Sequence, residues 1–149
     1  CPRPEVLPLE PGDELRAYEL DITTARTRHA VPSLAYRVLD MDTGVGIGIT
    51  GDTAYMPELA RFFSGVDHLV TEASTGLNDP SPDNHAGHQS VRQAAMLGAA
   101  SGAETLSIVH TDVTRQGEFE AAAREICVGA RIPWPGEQHN LEDRSADPY

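Results

Sequence analysis

Lysine is missing from this sequence: all eleven basic residues are arginine, set against 23 acidic ones, for a net charge of −12. That balance works against non-specific binding to nucleic acid or to an anionic membrane surface, and it favours divalent cations. Cysteine is scarce too. Cys1 and Cys127 cannot build a disulfide framework, so a reducing compartment, the cytoplasm, is the expected setting. Aromatic residues make up only 5%, although 40% hydrophobic residues is ordinary for a globular chain. No hydrophobic run approaches the length of a membrane span, and the N-terminus lacks a signal-peptide pattern. No repeat, linker or low-complexity block divides the 149 residues, which suit one domain or part of one. The chain starts at Cys1 rather than methionine, which reads as processing or as a segment missing upstream.

What is present is an alternation of strand and helix signals. Pro2, Pro4, Pro8, Pro11 and Gly12 predict an extended entry loop, with a short edge strand at Val6 to Leu9. Leu15, Ala17, Leu20 and Ile22 alternate into a long strand that ends at Arg28-His29. Leu34 to Leu39 is a second strand, Asp40 to Gly44 a hairpin turn, and Val45 to Thr50 an antiparallel return. A short helix is expected over Pro57 to Ser64, a buried strand from His68 to Glu72, and an Ala-rich helix over His88 to Ser101. Leu106 to Val109 is a strand, Glu118 to Val128 an amphipathic helix, and a last strand is expected near Gln138 to Leu141, before a polar tail after Glu142. Between Ser74 and Gly87 runs the longest irregular stretch, a length usually reserved for functional or mobile loops. The fold class is α/β, a mixed sheet with helices on one face.

Three strands end in a metal-binding side chain: the first at His29, the third at Asp52, the one after the Ala-rich helix at His110. Imidazole and carboxylate together suit zinc, manganese or iron, and one carboxylate can bridge two ions. The plainer alternatives are that Asp52 caps the following helix or closes a turn, and that each histidine donates to a backbone carbonyl. Glu72 ends its strand beside them and reads either as the hydrogen-bond partner of His88, raising its basicity, or as a surface carboxylate. His68 reads as structural, His85 and His139 as solvated, Asp42 and Asp112 as turn residues, and Trp134 as a core plug between prolines.

The spelling narrows the choice. His29-Ala30-Val31-Pro32-Ser33-Leu34-Ala35-Tyr36-Arg37, Gly51-Asp52-Thr53, Thr71-Glu72-Ala73, Gly87-His88-Gln89-Ser90 and Ile108-Val109-His110, in that order, resemble the metallo-β-lactamase superfamily, and its ribonuclease Z-like branch most. The resemblance implies the αββα sandwich of that superfamily, with this chain as its C-terminal half. It implies that His29 binds one metal, that Asp52 bridges two, that His110 binds the second, and that His88 is a general acid near the scissile phosphate. Imidazole changes charge within the physiological range, which suits that role. The reaction implied is hydrolysis of phosphodiester or related ester bonds by a hydroxide held on two zinc ions, with Mn2+ or Fe2+ as alternatives.

Three departures qualify it. The superfamily signature H-x-H-x-D-H, which supplies the remaining ligands, is absent, leaving three ligands for two metals. The family places an arginine shortly after the last histidine, and Arg115 is near that position without clean register. Only 22 residues separate His29 from Asp52, too few for the protruding arm of some transfer-RNA-processing relatives. A small-molecule ester or phosphodiester is therefore expected ahead of transfer RNA. The rival readings are an arylsulfatase- or lactonase-like relative and a non-catalytic half-domain for binding or assembly. Val45, Ile47, Ile49, Leu69, Leu106 and Ile108 suggest a sheet buried on both faces, though three helices cover only one. The bare face would pair two copies as a homodimer, or this half with its missing partner.

Overall fold

The computed structural model describes residues 6–81 and 83–141; Cys1 and the tail after Glu142 lie outside them. Seven strands lie side by side in sequence order. β1 (Glu14–Ala17), β2 (Leu20–Arg26), β3 (Leu34–Asp40) and β4 (Gly46–Ile49) pair antiparallel. β5 (His68–Glu72), β6 (Thr105–Val109) and β7 (Ala130–Arg131) then join in parallel. Because β2 and β4 each run antiparallel to β3, the strands β2, β4, β5 and β6 all point the same way. Their carboxyl ends share one edge of the sheet.

The α/β mixed sheet matches expectation, and several boundaries differ, among them the helices expected over Pro57 to Ser64 and Glu118 to Val128, which span Leu59–Phe62 and Gln116–Arg124. Val6 to Leu9 form no strand. The long first strand is a hairpin, turning at Tyr18-Glu19 with Ala17 opposite Leu20. Tyr18 takes φ 55, a conformation usually given to glycine or asparagine, so no residue signal announced the turn. The last strand is β7, which follows Gly129 directly, and not Gln138 to Leu141. Finally, the Ala-rich helix is α2 (Val91–Ser101) and starts three residues later than predicted. Its start is fixed by a capping box: the Ser90 hydroxyl accepts from the Gln93 amide N–H, and the Gln93 side chain accepts from the Ser90 amide. Such a cap is worth about 1 kcal/mol and leaves His88 in the loop ahead of the helix.

The helices α1 (Leu59–Phe62), α2 and α3 (Gln116–Arg124) cover one face of the sheet. Phe63, Leu69, Leu97, Leu106, Ile108 and Phe119 are all less than 2% exposed there, each burial contributing about 1.5–3 kcal/mol. In β4 the glycines face this layer, since a Cβ on Gly48 would lie 2.6 Å from the Phe63 ring. Ile47 and Ile49 therefore face away. With Val70 and Val109 they give the open face an apolar strip, Ile49 40% and Val109 37% exposed. Among the described residues the expectation of a bare face holds, but Leu69, Leu106 and Ile108 belong to the helix side. Among the described residues no helix is long and apolar enough to cross a membrane.

Candidate metal centre

The common strand direction brings the sequence-predicted residues together. His29 lies just beyond β2, Asp52 beyond β4, Glu72 at the end of β5 and His110 beyond β6. The loop after β2 is pinned to the others: the Arg28 amide donates to the Thr53 hydroxyl at 3.1 Å, and its carbonyl accepts from the Ala54 amide at 2.8 Å. The Ser33 hydroxyl donates to the Asp52 carbonyl at 3.2 Å. His110 itself has φ 51, a left-handed conformation that a side-chain-bearing residue adopts rarely and at some cost. That turn directs its ring to Asp52, with Nδ1 3.0 Å from Oδ1. Asp52 therefore does not cap α1, which begins behind Glu58.

His29 is held by the chain of Gly87. Its Nδ1 lies 3.1 Å from the Gly87 carbonyl, which can only accept, so Nδ1 carries the proton and Nε2 keeps its lone pair. Donation to a carbonyl and readiness to bind a metal thus coexist at His29. Gly87 has φ 76, and a Cβ there would sit 2.4 Å from the His29 Cα. Only glycine fits. The same loop is folded by Asn84, whose side chain donates to the His88 carbonyl and accepts from the Gly87 amide at 3.1 Å.

Glu72 is 2% exposed and is no surface carboxylate. Oε1 accepts from the Gln89 amide (3.1 Å), the Thr53 amide (3.3 Å) and His88 Nδ1 (3.2 Å), and Oε2 from the Ser74 amide (2.7 Å). Since a carboxylate accepts, His88 donates through Nδ1 and turns Nε2 away from Glu72. The His88 ring stands between its partners, its centroid 4.8 Å from that of His29 and 5.6 Å from that of His110.

One ligand atom from each of His29, Asp52 and His88 lies within 4.8 Å of the others, and the same holds for Glu72, His88 and His110. Asp52 touches both sides of the cluster, His29 within that radius and His110 directly. The donor set fits a transition metal: imidazoles with a carboxylate able to serve two ions. Half of the His110 side chain and 40% of that of Asp52 are exposed, leaving room for further ligands.

Other residues fall outside this cluster. His85 and His139 are exposed as expected, and Asp112 accepts from the Thr114 amide in a turn. Trp134 is 56% exposed and plugs no core; its amide is held instead by Glu137 at 2.9 Å. Arg115 is engaged by Glu118 at 2.8 Å and lies over the Phe119 ring at 4.6 Å. Sequence reasoning missed the backbone donors that converge on Glu72. The Ser90-Val91-Arg92-Gln93 capping box was the available signal, because it fixes where the loop ends and hence where the Gln89 amide points.

No family model matches the chain. A ribonuclease Z from Exiguobacterium sibiricum is 30% identical over 86 residues, covering 56% of this chain and 29% of that protein. Among solved structures, the metallo-β-lactamase fold protein YhfI from Bacillus subtilis superposes with a TM-score of 0.76 at 23% identity, over 87% of this chain and 53% of YhfI. The short form of human tRNase Z gives 0.58 at 18% identity, over 80% and 42%. The chain thus spans under a third of that ribonuclease Z and about half of these structures.

Proposed function

With the metallo-β-lactamase fold of this chain as premise, we propose that it is the C-terminal half of a hydrolase domain with a dinuclear metal site, cleaving phosphodiester or related ester bonds. The observation that carries the reading is the meeting of His29, Asp52 and His110 from three strand ends around the His88–Glu72 pair. In this reading His29 would hold one ion and His110 the second, with Asp52 as a ligand to both. Zinc suits that donor set, and manganese or iron(II) would accept it. When bound, the ions supply Lewis acidity and a water of lowered pKa. The chain's own residues do the rest. His88 Nε2 delivers a proton to the leaving oxygen, and Glu72 holds the Nδ1–H so that the ring keeps one tautomer and one orientation.

The open face supports the half-domain reading, since an N-terminal half would cover Ile47, Ile49, Val70 and Val109 and bring the missing ligands. A second copy of this chain is the other candidate for that face. The names of the ribonuclease Z and tRNase Z relatives keep transfer RNA in view. The charge of −12 and the tight β3–β4 turn favour a small ester or phosphodiester. The test is metal content together with turnover of bis(p-nitrophenyl) phosphate. These 149 residues alone should bind zinc weakly and hydrolyse at background. A protein extended upstream should turn over with metal and lose that metal on Asp52→Ala. Full metal retention in Asp52→Ala would overturn the reading.

A further inference from the structure

A cleft of about 630 Å³ opens at the ends of β2 and β3; His29 lines it, and Asp52, Glu72, His88 and His110 do not. Val31, Pro32 and Leu34 give it apolar walls, and Arg26 and Tyr36 also line it. Thr24 pairs with Tyr36 across the two strands, so Arg26, two residues on, projects from the same face. Arg16, Arg92, Arg115, Arg124 and Arg131 each hold a carboxylate. Arg26, like Arg28, Arg37 and Arg61, holds none among the described residues, in a chain with twelve more acids than bases (23 against 11). The Tyr36 hydroxyl also lacks a hydrogen-bond partner there. Glu10 lines the cleft without pairing to Arg26.

We propose that this cleft is an anion-recognising subsite, in which Arg26 and Tyr36 grip a phosphate or carboxylate group that the substrate carries in addition to its scissile bond. A guanidinium fork matches both anions, and a phenol adds a third donor. Arg115, the arginine that follows His110 in sequence, is spent on Glu118 and Phe119. The inference rests on the hydrolase reading only in making the anion part of the substrate; the binding itself is independent of it.

The test uses the 149-residue chain treated with chelator, titrated with inorganic phosphate and separately with acetate, and followed by amide NMR. Saturable shifts at Thr27, Ser33 and Leu34 are expected, and whichever anion binds more tightly identifies the group. Arg26→Gln should weaken binding at least ~10-fold, as for a lost charged hydrogen bond. Arg26→Lys should keep part of it, Tyr36→Phe should cost less, and Arg61→Gln on α1 should change nothing. Absence of saturable shifts with both anions, or equal losses from Arg26→Gln and Arg61→Gln, overturns the proposal. So does binding that arises only with Glu10→Gln, which would make Arg26 the partner of Glu10. Zinc content of the protein extended upstream, measured alongside, separates the two claims: no anion binding with zinc retained there sinks the subsite alone, and anion binding with no zinc held there sinks the metal site alone.

Discussion

β5 buries a polar group at each end, and the two ends are built differently. At its start His68 is 6% exposed, with Nδ1 2.5 Å from the Thr105 hydroxyl and its ring 5.2 Å from that of His139. Burial, then the neighbouring His139 and Arg131, push its pKa down to about 4. At the other end Glu72 collects four donors, one of them from a half-buried imidazole whose second nitrogen faces the site. Burial alone does not mark a working group, since both ends are buried. The mark is a satisfied buried partner that orients an accessible atom. His68 is oriented towards the protein itself, and His88 towards whatever enters.

The largest effect that would test this contrast is on stability. Glu72→Ala leaves the Thr53, Ser74 and Gln89 amides and the His88 Nδ1–H without their acceptor in a buried place. A loss of about 3–5 kcal/mol is expected, read from denaturant unfolding at neutral pH. Glu72→Gln keeps one acceptor oxygen and should lose less. If Glu72→Ala costs under about 1 kcal/mol, the carboxylate does not organise this end of the strand.

Next comes the outward-facing ring. In a protein with its site complete, His88→Ala should lower turnover at least ~100-fold while metal content stays constant, because the ring is assigned to proton transfer. Asp52→Ala should strip metal. His88 lies within ligand distance of both His29 and Asp52, so metal analysis of both variants decides between the roles. Equal metal loss in the two would make His88 a ligand.

Much of this site was legible because strand ends are legible. Alternation and the following Gly51 marked where β4 stopped, and the chemistry-bearing residue came next in the chain. Sequence does not state direction, however. That β2, β4, β5 and β6 run the same way, and so bring His29, Asp52, Glu72 and His110 to one edge, depends on the hairpin through Asp40 to Gly44 and on the two helical crossovers. The turn at Tyr18-Glu19 stayed hidden because a tyrosine occupies the positive-φ position. β4 also inverts the usual pattern. Its apolar side chains avoid the helix layer, where Phe63 fills the space a side chain at Gly48 would need. Trp134 was misread for a similar reason: a large aromatic suggests a core, but here the flanking segment is fastened at the surface by Glu137.

The smallest predicted effect sharpens the contrast at the quiet end of β5. His68 has a folded pKa of about 4, below the ordinary histidine value of 6.5. A depressed value means the neutral ring is favoured in the fold. Its stabilising contribution is therefore complete above the unfolded value and is lost as pH falls from there towards the folded one. From about pH 7 to about pH 5.5 the wild-type chain should lose about 1 kcal/mol through this group alone. The acids Asp21, Asp40, Asp112 and Glu118 have lowered values and titrate below that window. His68→Gln can still meet the Thr105 hydroxyl but cannot charge, so its stability should fall less over the same range. His139 and Arg131 face the ring in both proteins, which makes the difference between the two unfolding series the quantity to read. Parallel series would mean that His68 is solvated in the fold after all, and that the two ends of β5 differ less than their hydrogen bonds indicate.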